Sequence, residues 1–329
     1  MILSRCYLTT TPLFLASSLP FVLFNTITGM STFASKKIID SHLHVWADTT
    51  EASKGFPYAD GQDPPDSLKD AASFSNLMEQ MNANGVDGSL IVQPINHKFD
   101  HSYVMKAIDT YPDKFKGMLL HNPLLSPEEA VSQLENLVLK GFVGVRFNPY
   151  LWPKLSDGRD GWTPMSTPGG AGEAVYQRCA ELHMPVGIMC FQGLHLHYDD
   201  IIQLLQSSPK TTLILDHFGF TSFTSEGEKA FQQLLQLAKY PQVVVKISAL
   251  FRLQDQSPYE RVRTERFHPL LMAFGADRLM FGTDFPFVLE QEPERYGGMV
   301  RLVESWVEDD STREAVMSGT AERIFGQWG

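Results

Sequence analysis

The chain has 329 residues, 43% hydrophobic, 11% aromatic and 20% charged, which is the make-up of a globular protein with a sizeable core and room for one large α/β domain. Its 27 basic residues against 38 acidic ones give a net charge of -11, which opposes binding to nucleic-acid phosphates or an anionic membrane surface and points to a small-molecule partner. The three cysteines, Cys6, Cys179 and Cys190, follow no paired-ligand spacing and make no disulfide framework.

Residues 1–35 contain no Asp or Glu and a single basic residue, Arg5, among many Ser and Thr. That is transit-peptide composition, so an N-terminal leader directed to a plastid (chloroplast) or mitochondrion is expected. Two other readings stay open. Leu13–Phe24, interrupted by Pro20, is too short to span a bilayer but resembles the core of a secretory signal. Met30 could also serve as an alternative start and yield a cytoplasmic form.

From Lys37 onward, short β-branched runs alternate with helical patterns, as in a parallel sheet with crossover helices. Eight strands are expected, at 38–45, 86–93, 115–121, 142–148, 186–191, 212–216, 243–248 and 279–283. Between them, 67–84, 103–111, 127–139, 172–182, 199–206, 226–237 and 258–274 mix apolar and polar residues at helical spacing. Ser126 before Pro127 reads as a helix start, and Gly85 and Gly141 as helix ends. Two further helical stretches, 296–308 and 312–325, close the chain. The expected fold is α/β, a (β/α)8 TIM barrel forming a single domain over residues 36–329. Insertions at 47–66 and 151–170 follow strand C-termini, the face where such barrels build sites, and are expected to act as walls or lids.

The strongest chemical signal is Ile38-Ile39-Asp40-Ser41-His42-Leu43-His44, where strand alternation aims His42 and His44 to the same side at the end of the first strand. Two such imidazoles can share one metal ion. Asp216-His217 follows the apolar run Leu213–Leu215 and brings a third histidine to that face; alone it would read as a structural pair. Phe281-Gly282-Thr283-Asp284-Phe285-Pro286 ends the eighth strand, next to the first in a closed barrel. Asp284 would be a hard metal ligand and a base for water, or else a turn aspartate before proline. Arg146 at the end of strand four and Lys246 at the end of strand seven are candidates for a substrate carboxylate, with structural salt bridges as the alternative. Tyr103, His121, His195 and His197 read as structural. No Walker loop, dinucleotide fingerprint or nucleophile elbow is present.

Taken together, Ile-Asp-Ser-His-Leu-His-Val-Trp at 39–46, Gly-Val-Arg-Phe-Asn at 144–148, Leu-Asp-His-Phe-Gly at 215–219 and Phe-Gly-Thr-Asp-Phe-Pro at 281–286 resemble the amidohydrolase-related family of the amidohydrolase superfamily. The pattern is most similar to its branch of sugar-acid lactonases and pyrone-dicarboxylate lactonase. The resemblance implies a (β/α)8 barrel, metal-ligand histidines at His42 and His44, a strand-six histidine at His217 and a catalytic Asp284. Many relatives end strand five with a histidine where this chain has Met189, and a thioether is a poor ligand for a hard hydrolytic centre. Some lactonases of the branch work without metal, so the substitution bears on metal dependence rather than on fold.

The expected activity is metal-assisted hydrolysis of a small carboxylated lactone or a related C–O or C–N bond. One divalent ion, zinc by preference, would sit at His42, His44 and Asp284, and Asp284 and His217 would be the catalytic pair. The alternatives are a metal-dependent decarboxylase of the same superfamily and a catalytically silent small-molecule-binding barrel. Assembly into a homo-oligomer stays open.

Overall fold

The eight expected strands are all present, each shorter than its sequence pattern. A computed structural model describes residues 36–156 and 161–329; the expected leader, 1–35, lies outside the described residues. The strands are β1 (Ile39–Leu43), β2 (Gly88–Val92), β3 (Phe115–Leu120), β4 (Phe142–Phe147), β5 (Val186–Ile188), β6 (Leu213–Leu215), β7 (Val243–Ile247) and β8 (Leu279–Phe281). They lie in the order β1 to β8, every neighbouring pair parallel. Closure happens just past β8, where Asp284 N donates to His42 O (2.8 Å) and His44 N to Phe285 O (2.7 Å). The result is a β/α barrel whose connecting helices cover the outside of the sheet.

The helices start where capping chemistry allows. The stretch expected from residue 67 is a helix only over Phe74–Asn84, because Ser73 accepts from Asn76 N at 3.2 Å and Gly85, at φ 67°, ends it. Ser126 and Glu129 form a reciprocal capping box ahead of Pro127–Val138. The pattern at 258–274 is interrupted by a π-helical segment, Arg263–Phe267. The insertion after β1 holds a short helix, Thr49–Ser53, capped by Asp48.

Inside the barrel, Ile39, Leu90, Val92, Met118, Ile214, Val244 and Met280 pack into an apolar layer that also takes in Ala321, Phe325 and Trp328 from the C-terminus. Strict alternation would place Ile39 opposite to His42. The β1–β2 register shifts between Asp40 and Leu43, so Ile39 joins the lower layer while His42 and His44 still face inward above it. Trp328 plugs the bottom: its indole donates to Ser89 O at 3.2 Å, and Lys116 sits 4.9 Å from its ring. Gly88 must lack a side chain here, since a Cβ would overlap Cδ1 and Cγ of that indole.

Two substitutions test this plug by chemical denaturation. Trp328→Ala should destabilise the barrel by about 3–5 kcal/mol, and Gly88→Ala by about 1–3 kcal/mol through overpacking. In the double variant the two losses should be less than additive, because removing the indole makes room for the new methyl.

Candidate active site

The upper layer of the barrel is polar, and the same inward positions that carry Ile214, Val244 and Gly144 lower down carry Asp216, Lys246 and Arg146 two residues later. His42, Asp216 and Lys246 are completely buried, Asp284 and His217 almost so, and His44 and Arg146 are 6% exposed. Beyond the last ladder residue of their strands, His217 (φ 50°) and Asp284 (φ 63°) take left-handed backbone. Such strain is held only where surrounding contacts over-determine it, and it gathers at functional sites. It also explains why β6 and β8 end early: the residues that carry the chemistry have left the ladder.

Each histidine is fixed through one ring nitrogen. His44 Nδ1 lies 2.8 Å from Val92 O; a carbonyl only accepts, so Nδ1 carries the proton and Nε2 is left with a free lone pair. His217 Nδ1 is 2.8 Å from Ser248 Oγ. His42 Nδ1 has two neighbours at 3.1 Å, Lys246 Nζ and Asp216 Oδ1. Where the Nδ1 proton faces the carboxylate, His42 Nε2 keeps a lone pair for a cation, in the manner of carboxylate–histidine pairs behind metals; where Nδ1 instead accepts from Lys246 Nζ, the proton sits on Nε2. Burial, with Arg146 as the next cause, pushes His44 down to about 3, and burial holds His42 and His217 well below the usual imidazole range. All three are therefore neutral at neutral pH, the form that ligates metal.

Behind them, two cations flank one carboxylate. Burial raises Asp216, but Lys246 (3.6 Å) and Arg146, whose Nε donates to Oδ2 at 3.1 Å, outweigh it and keep the carboxylate below its ordinary range. Burial lowers Lys246 to about 8 against the pull of Asp216. Asp284 goes the other way: burial raises it to about 6 even though Arg252 contacts Oδ2 through Nε (3.0 Å) and Nη2 (2.9 Å).

Asp284 Oδ1 is the focus of the site. It lies 4.0 Å from His42 Nε2, 3.5 Å from His44 Nε2 and 3.8 Å from His217 Nε2, and it has no hydrogen-bond partner, nor has His42 Nε2. Leaving two buried polar atoms unsatisfied costs on the order of 1–3 kcal/mol each. A divalent cation would satisfy both, and zinc bonds to nitrogen and oxygen of roughly 2.0–2.2 Å are long enough to bridge atoms this far apart. Donor atoms of His42, His217 and Asp284 all come within 4.8 Å of one another. The residues present thus suit a divalent metal, with His217 in the tightest set and His44 beside it.

A cavity of about 330 Å³ opens above this point, lined among others by His44, His217, Asp284, Arg146, Arg252 and Met189. Arg146 is at its wall, as expected for a substrate-binding cation, although its Nε is committed to Asp216. Lys246 lines no part of it: expected to reach a substrate, it is buried behind His42, because the strand-seven side chain points into the barrel axis below the cavity floor. Met189 is in the wall and brings no hard ligand. The insertion at 47–66 backs the wall rather than lining it, through Ala59 N to Asn96 O (2.8 Å) and Asn96 Nδ2 to Gln62 O (2.9 Å). The described part of 151–170 borders a separate small cavity with Trp162 and His197.

Two site residues escaped the sequence reading. Asp216 could have been found from alternation, since it shares a face with Ile214. Arg252 could not, because it lies in the loop after β7, where no periodicity says which way a side chain points.

Comparisons with known proteins bear on the family and the fold. The sequence profile of the amidohydrolase family matches residues 39–327. The 4-sulfomuconolactone hydrolase of Hydrogenophaga intermedia is 26% identical over 88% of this chain and 88% of its own length. The D-galactarolactone isomerase of Agrobacterium fabrum is 22% identical over 87% and 90%. Among solved structures, a probable 2-pyrone-4,6-dicarboxylic acid hydrolase of Acinetobacter baumannii, crystallised with citric acid, superposes with a TM-score of 0.70 at 19% identity, covering 88% of this chain and 99% of that one.

Calorimetric titration of metal-stripped protein with divalent cations should register about one equivalent at this centre. His42→Gln should abolish that uptake while leaving the far-ultraviolet circular dichroism unchanged.

Proposed function

The chain belongs to the amidohydrolase family, and we propose that it hydrolyses a small carboxylate-bearing lactone at the centre described above, with zinc as the ion. The observation that carries this reading is the unpartnered Asp284 Oδ1, buried among three imidazoles at the floor of a cavity with arginines in its wall. Lactone chemistry is further supported by the relatives named for lactone substrates.

In this reading His42, His44 and Asp284 supply the donors for the ion, and His217 keeps the proton on Nε2. A bound divalent ion contributes Lewis-acid polarisation of a carbonyl and eases the ionisation of water. Asp284 Oδ1 accepts the proton of the attacking water as its oxygen bonds to the lactone carbonyl carbon. The carbonyl oxygen then gathers negative charge in a site with little bulk water, where neighbouring dipoles act strongly. His217, braced by Ser248, faces that oxygen. When the ring C–O bond breaks, the proton held by Asp284 passes to the departing alkoxide, and the product is a hydroxy acid. Arg146 presents its outer guanidinium nitrogens to the substrate carboxylate while Nε stays on Asp216, so the same side chain orients both the ligand and the support of His42.

Asp284→Asn should lower kcat by about 10²-fold or more, the scale of a lost general base. Arg146→Met should chiefly raise KM, with some loss of metal because Asp216 loses a partner. Screening carboxylated lactones against wild type and Asp284→Asn side by side checks both; a lactone hydrolysed equally well by the two proteins would overturn the role of Asp284.

The composition of residues 1–35 supports a cleaved leader and a plastid or mitochondrial location, with a cytoplasmic form starting at Met30 as the second reading. N-terminal sequencing of the mature protein should return a start close to Lys36; a start at Met1 or Met30 would overturn cleavage.

A further inference from the structure

Asp284 can serve the centre only if one oxygen faces the imidazoles and the other does not. Its backbone, at φ 63°, is anchored by the bond from its own N to His42 O, but that bond leaves the carboxylate free to rotate about its side-chain torsions. What stops the rotation is Arg252. Nε donates to Oδ2 at 3.0 Å and Nη2 lies 2.9 Å from the same oxygen, leaving Oδ1 alone toward His42, His44 and His217.

Arg252 is itself held by groups other than Asp284. Its turn, Leu250–Leu253, is flanked by left-handed residues, Ala249 at φ 51° and Gln254 at φ 63°. Arg252 N donates to Ala249 O at 2.9 Å, and Leu253 O accepts from Phe223 N at 3.0 Å. The guanidinium carbon lies 5.0 Å from the Phe287 ring and 5.3 Å from that of Phe251, contacts that suit a planar cation. The side chain is a quarter exposed, so it sits at the mouth of the cavity while its fork reaches down to a carboxylate that is almost completely buried.

We propose that Arg252 is the positioning residue of the centre: its fork on Oδ2 sets the rotamer of Asp284, so that Oδ1 alone is presented to the reacting groups. This rests on the reading of Asp284 as ligand and base given above. A guanidinium is required because its rigid planar fork, held against Phe287 and Phe251, brings Nε and Nη2 together onto Oδ2 from a fixed direction, whereas a flexible ammonium supplies a point charge without that geometry. The role differs from that of a substrate-binding arginine, whose loss would weaken substrate affinity and leave Asp284 in place.

The test compares wild type with Arg252→Gln and Arg252→Lys by crystal structure, by zinc titration and by kinetics on whichever lactone the wild type hydrolyses. In Arg252→Gln the Asp284 carboxylate should rotate away from the imidazoles, and zinc affinity should fall about 10–100-fold, the usual effect of losing an outer-shell partner. For the lactone, kcat should drop with KM little changed, and Arg252→Lys should not restore it. Asp284 unmoved in the Arg252→Gln crystal, or a raised KM at unchanged kcat, would overturn the proposal. Should the wild type take up no zinc and hydrolyse no lactone, the proposed function fails, and the carboxylate orientation in the Arg252→Gln crystal still decides the role of Arg252.

Discussion

One buried carboxylate reinforces the backbone closure between the first and last strands of this barrel. Asp40, completely enclosed, accepts from Thr283 N (2.9 Å) and Thr283 Oγ1 (2.6 Å), and Ser41 Oγ donates across the same seam to Phe281 O (2.5 Å). Burial raises Asp40 to about 6 while the Thr283 bonds pull it down. The seam matters because its two edges carry the two halves of the centre: His42 and His44 follow Asp40 on one side, and Asp284 follows Thr283 on the other. Gly282 lets the edges meet, since a Cβ there would come within 2.8 Å of His42 Cβ. A barrel open at this seam would still have a core, but its three imidazoles and its carboxylate would not share a cavity.

Above the seam the interior changes from apolar to charged within one turn of side-chain layers. Lys246, completely buried, and Arg146, in the cavity wall, flank Asp216, which supports His42 from behind. Buried charges of this kind contribute little net stability, because desolvation offsets much of their attraction. Their value is orientation, as they hold an imidazole below the cavity and an arginine fork in its wall against rotation. In Asp284 one oxygen is held by Arg252 and the other, facing the three imidazoles, is left without a hydrogen-bond partner. Tight support on the outside of the centre and unsatisfied atoms at its middle are what a preorganised site for a cation and a water requires.

The alternation of apolar runs and helical stretches determined the eight strands and their parallel order, because strands buried on nearly all positions of both faces are short, largely apolar runs. Position at a strand end determined His42, His44, His217, Asp284 and Arg146 as residues of one barrel face, since parallel strands deliver all their C-termini to the same side. What only the tertiary structure decided were matters of depth and rotation. Lys246 and Arg146 look equivalent as cations near strand ends, yet one lies beneath the floor and the other in the wall, a difference of height along the barrel axis that no linear spacing encodes. Strands β6 and β8 stop short of their expected ends because His217 and Asp284, just beyond them, take positive φ to reach the centre. Arg252 comes from a loop whose direction is set by left-handed turns and aromatic neighbours brought in from distant segments, so its place beside Asp284 exists only once the barrel has closed.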